Sequence, residues 1–187
     1  MSLANKTCGS CSLCCKVMAI TALEKPKGQW CSHCTPGRGC QIYLSKPAEC
    51  AAFSCVWLQD DRLGPEWKPD KSKIVLVYDG SQNQLVAHID SNFGVWQTEP
   101  YLGWLREMSA AGRPHGGTVL VVERGKTTLI FPERAIDLGV LQADDRIMIS
   151  VTQGADGRER YGAQVMHRSE AEKIAADLQA KGTLGVL

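Results

Sequence analysis

The chain has 187 residues, of which 44% are apolar and 22% charged, a composition typical of a globular protein with one core of moderate size. This balance excludes collagen-like, mucin-like and disordered proteins. The formal net charge is only +1, so we expect neither a nucleic-acid partner nor binding to an anionic membrane.

The longest apolar runs, 74–78 and 118–122, are far too short to span a bilayer. The first ten residues lack the basic start and the apolar stretch of a secretory signal. Both features predict a cytoplasmic protein with no membrane partner.

Nine cysteines lie between positions 8 and 55, and none follows in the remaining 132 residues. Such a density is typical of a disulfide framework or of a metal site. An odd number of cysteines in a reducing compartment disfavours disulfides, so the pattern predicts metal ligands. The candidate ligands are Cys8, Cys11, Cys14, Cys15, Cys31, Cys34, Cys40, Cys50 and Cys55.

Two C-x2-C pairs, Cys8 with Cys11 and Cys31 with Cys34, are separated by nineteen residues, a spacing found in paired zinc knuckles. The turn within each pair brings both sulfurs to one side, and zinc completes a tetrahedron with four ligands at about 2.3 Å. The other five cysteines provide enough thiols for a second ion. His33 is a further candidate ligand through an imidazole nitrogen, or an ordinary loop residue.

Adjacent Cys14 and Cys15 point in different directions, which makes them poor joint ligands of one small ion. They fit two neighbouring ions, or one ligand and one packed thiol, and so favour a compact double site. An iron-sulfur cluster is the alternative to zinc, because Cys8, Cys11 and Cys14 have the first spacings of a bacterial ferredoxin motif. Cys15 interrupts that motif, so the choice between zinc and iron stays open.

The motif CGSCSLCCK at 8–16, followed by GCQIYLSKPAECAAFSC at 39–55, resembles the CxxCxxCC cysteine-cluster family. Proteins of that family are described as zinc- or iron-chelating, and a related cysteine region occurs in flagellin lysine methylases. The resemblance implies metal chelation but no particular reaction. It covers under a third of the chain, and Lys46 stands where the family usually has arginine. The matched positions are Cys8, Cys11, Cys14, Cys15, Cys40, Pro47, Cys50 and Cys55, and the apolar residues Tyr43 and Phe53 accompany them.

We predict three parts in chain order. Residues 1–60 contain many turn formers and only short helical patterns, which indicates a small loop-rich metal-binding module. Coordination would supply much of its folding free energy, on the order of 10 kcal/mol for structural zinc. Charges, glycine and prolines at 61–71 predict a linker or an extended wrap, and residues 72–187 are expected to form a second domain.

Three β-hairpins are predicted in the second domain. The paired runs are 73–79 with 84–90, 118–124 with 127–131, and 146–152 with 160–167. In the second hairpin, the leading glycine of Gly125-Lys126 suits a type II′ turn.

Two longer helices are also predicted. Thr98 caps the first, which ends at Gly112, and Ser169 with Glu172 forms a capping box at the start of the second. A shorter helix is expected after Pro132. Because strands and helices do not alternate regularly, the pattern predicts an α+β fold with a mainly antiparallel sheet and two or three helices.

The second domain has no dinucleotide, P-loop, hydrolase or metalloprotease motif. His88 is interpreted as a structural histidine rather than a general base, while His115 and His167 are ambiguous loop and strand-end residues. Trp96 and Trp104 fit core packing better than stacking on a ligand.

These patterns favour a cytosolic protein that chelates zinc or iron through its cysteines. One alternative is a redox or methyl-transfer enzyme that uses an iron-sulfur cluster. Another is a module in which zinc stabilises a surface for a protein partner. The sequence leaves open whether the chain is an enzyme and which oligomeric state it adopts.

Overall fold

A computed structural model describes residues 6–90 and 95–180 of the chain. Its N-terminal third consists of short elements connected by turns. These are α1 (Cys14–Val17), β1 (Cys34–Thr35), β2 (Gly39–Cys40), α2 (Ala48–Ala52), α3 (Val56–Gln59) and α4 (Pro69–Ser72). Single turns of 3-10 helix occur at Thr21–Leu23, Tyr43–Ser45, Pro65–Trp67, Val95–Gln97 and Arg113–His115.

A five-stranded sheet organises the rest of the chain. Its strands are β3 (Ile74–Asp79), β4 (Gln84–Ile89), β5 (Thr118–Glu123), β6 (Lys126–Ile130) and β7 (Ala135–Gly139), which neighbour one another in chain order. All neighbours are antiparallel except β4 and β5, which are parallel and are connected through helix α5 (Tyr101–Gly112). A separate antiparallel ribbon of β8 (Asp145–Gln153) and β9 (Glu159–His167) is followed by helix α6 (Arg168–Ala180). The predicted α+β class with a mainly antiparallel sheet is therefore confirmed.

All three predicted hairpins are present, and one turn differs from its prediction. Glu123 pairs with Lys126, so the two central residues of the second turn are Arg124 and Gly125. Both have positive φ, +51° and +79°. This is the pattern of a type I′ turn, whereas a type II′ turn needs positive φ at the first position alone. The turn therefore lies one residue earlier than predicted.

The prediction of a helix after Pro132 is wrong, because this segment forms strand β7 at the edge of the sheet. Ile136 and Leu138 are half-buried against the sheet and Ala135 and Asp137 are exposed, which is the period-two pattern of a strand. Pairing with β6 therefore overrides the local helical tendency.

Both long helices start differently from the predicted caps. Pro100 is the N-cap of α5, and the Thr98 hydroxyl donates instead to the carbonyl oxygen of Val95 at 2.8 Å. Helix α6 begins at Arg168, where His167 Nδ1 accepts a hydrogen bond from the Ser169 N–H at 3.3 Å. Glu172 is paired with the Arg168 guanidinium at 2.8 Å rather than closing a capping box.

The sheet has apolar side chains on both faces. Alternate residues of β5, Val119 and Val121, point into a large core on one face, and Leu120 points into a smaller core on the other. Helix α5 covers the large core, and the buried Ser109 hydroxyl of that helix donates to the Ile130 carbonyl at 2.7 Å. The ribbon covers the smaller core, where Phe131 and Tyr161 stack with ring centroids 5.0 Å apart.

The cysteine-rich segment contributes to the large core. Leu13 and Val17 from the N-terminal turns and Trp57 from α3 are buried in the same cluster as the sheet residues. The segment predicted as a linker, 61–71, supplies Leu63 and Trp67, which are only 1% and 4% exposed. This segment is therefore an ordered part of the core that joins the N-terminal turns to the sheet.

Replacing Leu63 with alanine tests this shared core. We expect Leu63→Ala to lower the free energy of unfolding by about 3 kcal/mol, because the side chain leaves a cavity between the two parts. Leu44→Ala is the matched control, since Leu44 is fully exposed, and it should change the free energy by less than about 0.5 kcal/mol. Denaturant unfolding measures both, and equal effects would contradict a structural role for residues 61–71.

Candidate metal centre

The described residues include all nine cysteines, and all nine are free thiols. The influence of the thiols on one another's pKa values, together with the hydrogen bonds between them, divides them into two groups. The first thiol group consists of Cys8, Cys11 and Cys55. The second thiol group consists of Cys14, Cys15, Cys31, Cys34, Cys40 and Cys50.

A tight turn and the start of a helix form the first thiol group. The Cys11 N–H donates to the Cys8 carbonyl at 2.8 Å, and Gly9 between them has φ of +53°, which glycine adopts without strain. Cys55 is the N-cap residue of α3 and is buried. Burial raises the pKa of the Cys55 thiol, and Cys8 and Cys11 nearby raise it further. A third thiol distant in sequence therefore joins the Cys8–Cys11 pair.

Asp70 is the non-cysteine neighbour of the first thiol group. Its backbone and that of Leu13 hydrogen-bond to the Cys11 sulfur. Burial raises the pKa of Cys11, and the negative charge of Asp70 contributes in the same direction. The group therefore combines three sulfurs and one carboxylate.

The second thiol group is built around Cys15. The Cys31 N–H donates to the Cys15 carbonyl at 3.0 Å, and Cys34 lies opposite Cys40 in the β1–β2 hairpin. The thiol of Cys15 hydrogen-bonds to both Cys14 and Cys34, and the bond with Cys14, followed by burial, raises its pKa. Burial followed by the proximity of Cys15 raises the pKa of Cys34 to about 11. At neutral pH the Cys15 and Cys34 thiols are therefore protonated.

Helix α2 brings Cys50 to the same place. The Glu49 carboxylate accepts hydrogen bonds from the N–H groups of Thr21 and Ala22 at 3.2 and 3.3 Å, which ties α2 to the turn at Thr21–Leu23. Burial raises the pKa of Cys50, and the neighbouring Cys15 adds to the effect. The Glu49 carboxylate thus positions the adjacent Cys50 thiol beside Cys15, which lies 35 residues earlier in the chain.

A buried lysine lies beside the second thiol group. The Lys25 ammonium donates to the carbonyl oxygens of Lys16 at 3.1 Å, Met18 and Pro26 at 2.8 Å. Burial lowers its pKa, and the electrostatic influence of the surrounding thiols, Cys31 first, opposes that effect. Lys25 therefore provides positive charge where thiolates of the second group would form.

Removing the Lys25 ammonium should destabilise the cysteine-rich segment. In Lys25→Met three carbonyl oxygens lose their donor, and we expect the free energy of unfolding to fall by about 3 kcal/mol. Lys27→Met, at an exposed position two residues later, should have little effect. Denaturant midpoints measure both variants, and equal stability of Lys25→Met and the wild type would contradict the structural role of the ammonium.

The thiol side chains are not arranged as the ligands of a metal ion. In the part of the chain that the structure describes, no three Cys, His, Asp or Glu side chains are arranged to hold a metal. The donor set nevertheless fits one, since clustered sulfurs are the ligands that zinc and iron-sulfur clusters select. A metal would replace the thiol protons and draw the sulfurs to coordination distance.

The two C-x2-C pairs have different thiol neighbours. Cys8 and Cys11 interact with Cys55, whereas Cys31 and Cys34 share Cys15 as a neighbour. The C-x2-C spacing that both pairs have therefore does not by itself assign them to one ion. The side chains of Cys14 and Cys15, expected to point apart, are hydrogen-bonded to each other.

His33 lies in the hairpin of the second thiol group, and its carbonyl oxygen accepts a hydrogen bond from the Gln41 N–H at 2.8 Å. Its role as a ligand stays a prediction. Sequence reasoning overlooked Lys25 and Asp70. The only signal for Asp70 was a carboxylate in a charged segment, and reading that segment as a linker concealed it.

The other candidate residues belong to the core. Trp96 is buried, and Trp104 packs against Trp67 with ring centroids 4.8 Å apart. His88, in strand β4, is 9% exposed, and burial, together with the charge of Lys27, lowers its pKa to about 4. The burial of Trp96 and His88 and the ring contact of Trp104 are typical of residues that pack in a core.

The buried His88 should make stability depend on pH. An unfolded histidine takes up a proton below its ordinary pKa of 6.5, while the folded one resists protonation down to about pH 4. This stabilisation is complete above pH 6.5 and is lost as the pH falls towards 4, by about 3 kcal/mol.

The unfolding free energies of His88→Leu and the wild type, measured between pH 7 and pH 4, test this effect. The variant should lack this part of the acid-induced loss, and His115→Leu, at an exposed position, should retain it. Identical pH profiles for His88→Leu and the wild type would contradict the assignment.

No family model, curated protein or solved structure matches the chain. Across residues 6–90 and 95–180, none of the helices combines the length and apolar character required to cross a membrane.

Proposed function

We propose that the chain is a cytoplasmic metal-binding protein that chelates zinc or iron through its N-terminal cysteines. The observation that carries this proposal is the gathering of nine free thiols into two groups around a shared apolar core. The resemblance of the cysteine motif to the CxxCxxCC family agrees with it.

Several thiols lie where burial and neighbouring sulfurs disfavour the thiolate, as at Cys15 and Cys34. A divalent cation reverses this balance, because it attracts thiolates and releases their protons. Metal binding would therefore tighten two thiol groups that are only loosely associated without it.

The division of the thiols supports two metal ions rather than one. The first group joins α3 to the Cys8–Cys11 turn, and the second joins the β1–β2 hairpin to α1 and α2. Each ion would cross-link segments that are distant in sequence, a structural role typical of zinc. An iron-sulfur cluster remains the alternative occupant.

A second candidate function is a metal-stabilised interaction module. Tyr43 and Leu44, in the turn between Cys40 and Cys50, are 61% and 101% exposed. Ions that fix this segment would also fix an apolar surface available to a protein partner.

Elemental analysis of protein purified without oxygen or chelator tests the proposal. We expect about two zinc or iron ions per chain, with a brown colour only if iron is held as an iron-sulfur cluster. Cys11→Ser should lose about one ion, because the first group has only three thiols, whereas Cys31→Ser leaves five thiols in the second group and should retain both ions.

His33→Asn is the control, and it should retain both ions because the second group has six thiols without it. Protein without any transition metal, whose thiols are all free or paired in disulfides, would refute metal chelation.

A further inference from the structure

The Asp70 carboxylate beside the first thiol group has one oxygen without a partner. Among the described residues, Asp70 Oδ1 is buried and makes no hydrogen bond. Its other oxygen, Oδ2, lies 3.5 Å from the Lys68 ammonium. A buried carboxylate oxygen without a donor is costly and uncommon in folded proteins.

The position of Asp70 is set by its backbone. Its carbonyl oxygen accepts a hydrogen bond from the Lys73 ammonium at 2.6 Å, and its peptide group hydrogen-bonds to the Cys11 sulfur. Helix α4 is in turn held against the sheet by the fully buried Ser72, whose hydroxyl accepts from the Ile74 N–H at 3.1 Å. The backbone of Asp70 is thus fixed beside the first thiol group, and its side chain is 34% exposed with Oδ1 on the buried side.

The first thiol group lacks one donor for a tetrahedral site. Cys8, Cys11 and Cys55 provide three sulfurs, whereas structural zinc takes four ligands and accepts carboxylate oxygen among them. The second group, with six thiols, needs no such supplement.

We propose that Asp70 is the fourth ligand of a metal ion held by Cys8, Cys11 and Cys55, a site of three sulfurs and one oxygen. This inference rests on the proposed metal-binding function. It assigns a ligand that lies outside the cysteine motif and 15 residues after the last cysteine.

A neighbouring positive charge supports this donor set. Three thiolates and a carboxylate around a divalent cation leave two negative charges. The Lys68 ammonium lies 3.9 Å from the position that a Cβ on Gly9 would occupy, so it is close to both the Cys8–Cys11 turn and Asp70. It offsets part of that charge on metal binding.

Cobalt(II) titration of the metal-free full-length chain tests the assignment, because the sulfur-to-cobalt absorption reports the number of thiolates on each ion. In Asp70→Asn, one of two cobalt ions should bind at least about tenfold more weakly, with the second ion unchanged. Asp79→Asn, at the opposite end of β3 from α4, is the matched control and should bind both ions as the wild type does.

Asp70→Cys provides a second, positive test. Unlike Asp70→Asn, it should bind both ions tightly. It should also increase the sulfur-to-cobalt absorption of the first site above that of the wild type, since a fourth thiolate replaces the carboxylate. If Asp70→Asn fails to fold, this spectrum decides the question, and absence of the increase overturns the assignment.

The outcomes separate the two proposals. A wild-type chain that binds neither cobalt nor zinc refutes the metal-binding function itself. If the wild type binds two ions and Asp70→Asn binds both equally tightly, only the assignment of Asp70 is overturned.

Discussion

Burial of Leu63 and Trp67 between the N-terminal turns and the sheet is the constraint on which the arrangement of the thiols depends. Residues 6–60 contain only short helices and a hairpin of two two-residue strands, too little secondary structure to bury a core alone. Packing against the sheet supplies the missing apolar contacts. The same packing carries α3 and α4, and with them Cys55 and Asp70, to the Cys8–Cys11 turn.

The two thiol groups differ in their electrostatic surroundings. The first has a carboxylate, Asp70, beside its three sulfurs, and the second has a buried ammonium, Lys25, beside its six. If each group holds an ion as proposed, the carboxylate would complete a ligand set that is one donor short, and the ammonium would offset negative charge where thiolates are in excess. This difference makes two separate ions a more consistent interpretation than one shared cluster, and it assigns different tasks to the two non-cysteine residues.

Local patterns predicted the sheet region well. The three hairpins follow from alternating apolar residues flanked by turn formers, a signal carried by neighbouring residues alone. The errors occur where a tertiary contact competes with a local preference. The segment after Pro132 pairs with β6 instead of forming a helix, and α6 begins at Arg168, directly after β9, rather than behind a Ser169 cap. At Gly125 the strand register moved the turn by one residue.

The amino-acid sequence alone determined the chemical character of the candidate site. Nine thiols confined to 48 residues either bind metals that prefer sulfur ligands or pair as disulfides. It also determined the fold class, since hairpins and amphipathic helices are encoded over short distances. Only the tertiary structure decided which thiols are neighbours and which charged residues accompany them. Cys55, Asp70 and Lys25 reach the thiols through packing of distant segments, and the spacing of residues along a chain carries no information about such contacts.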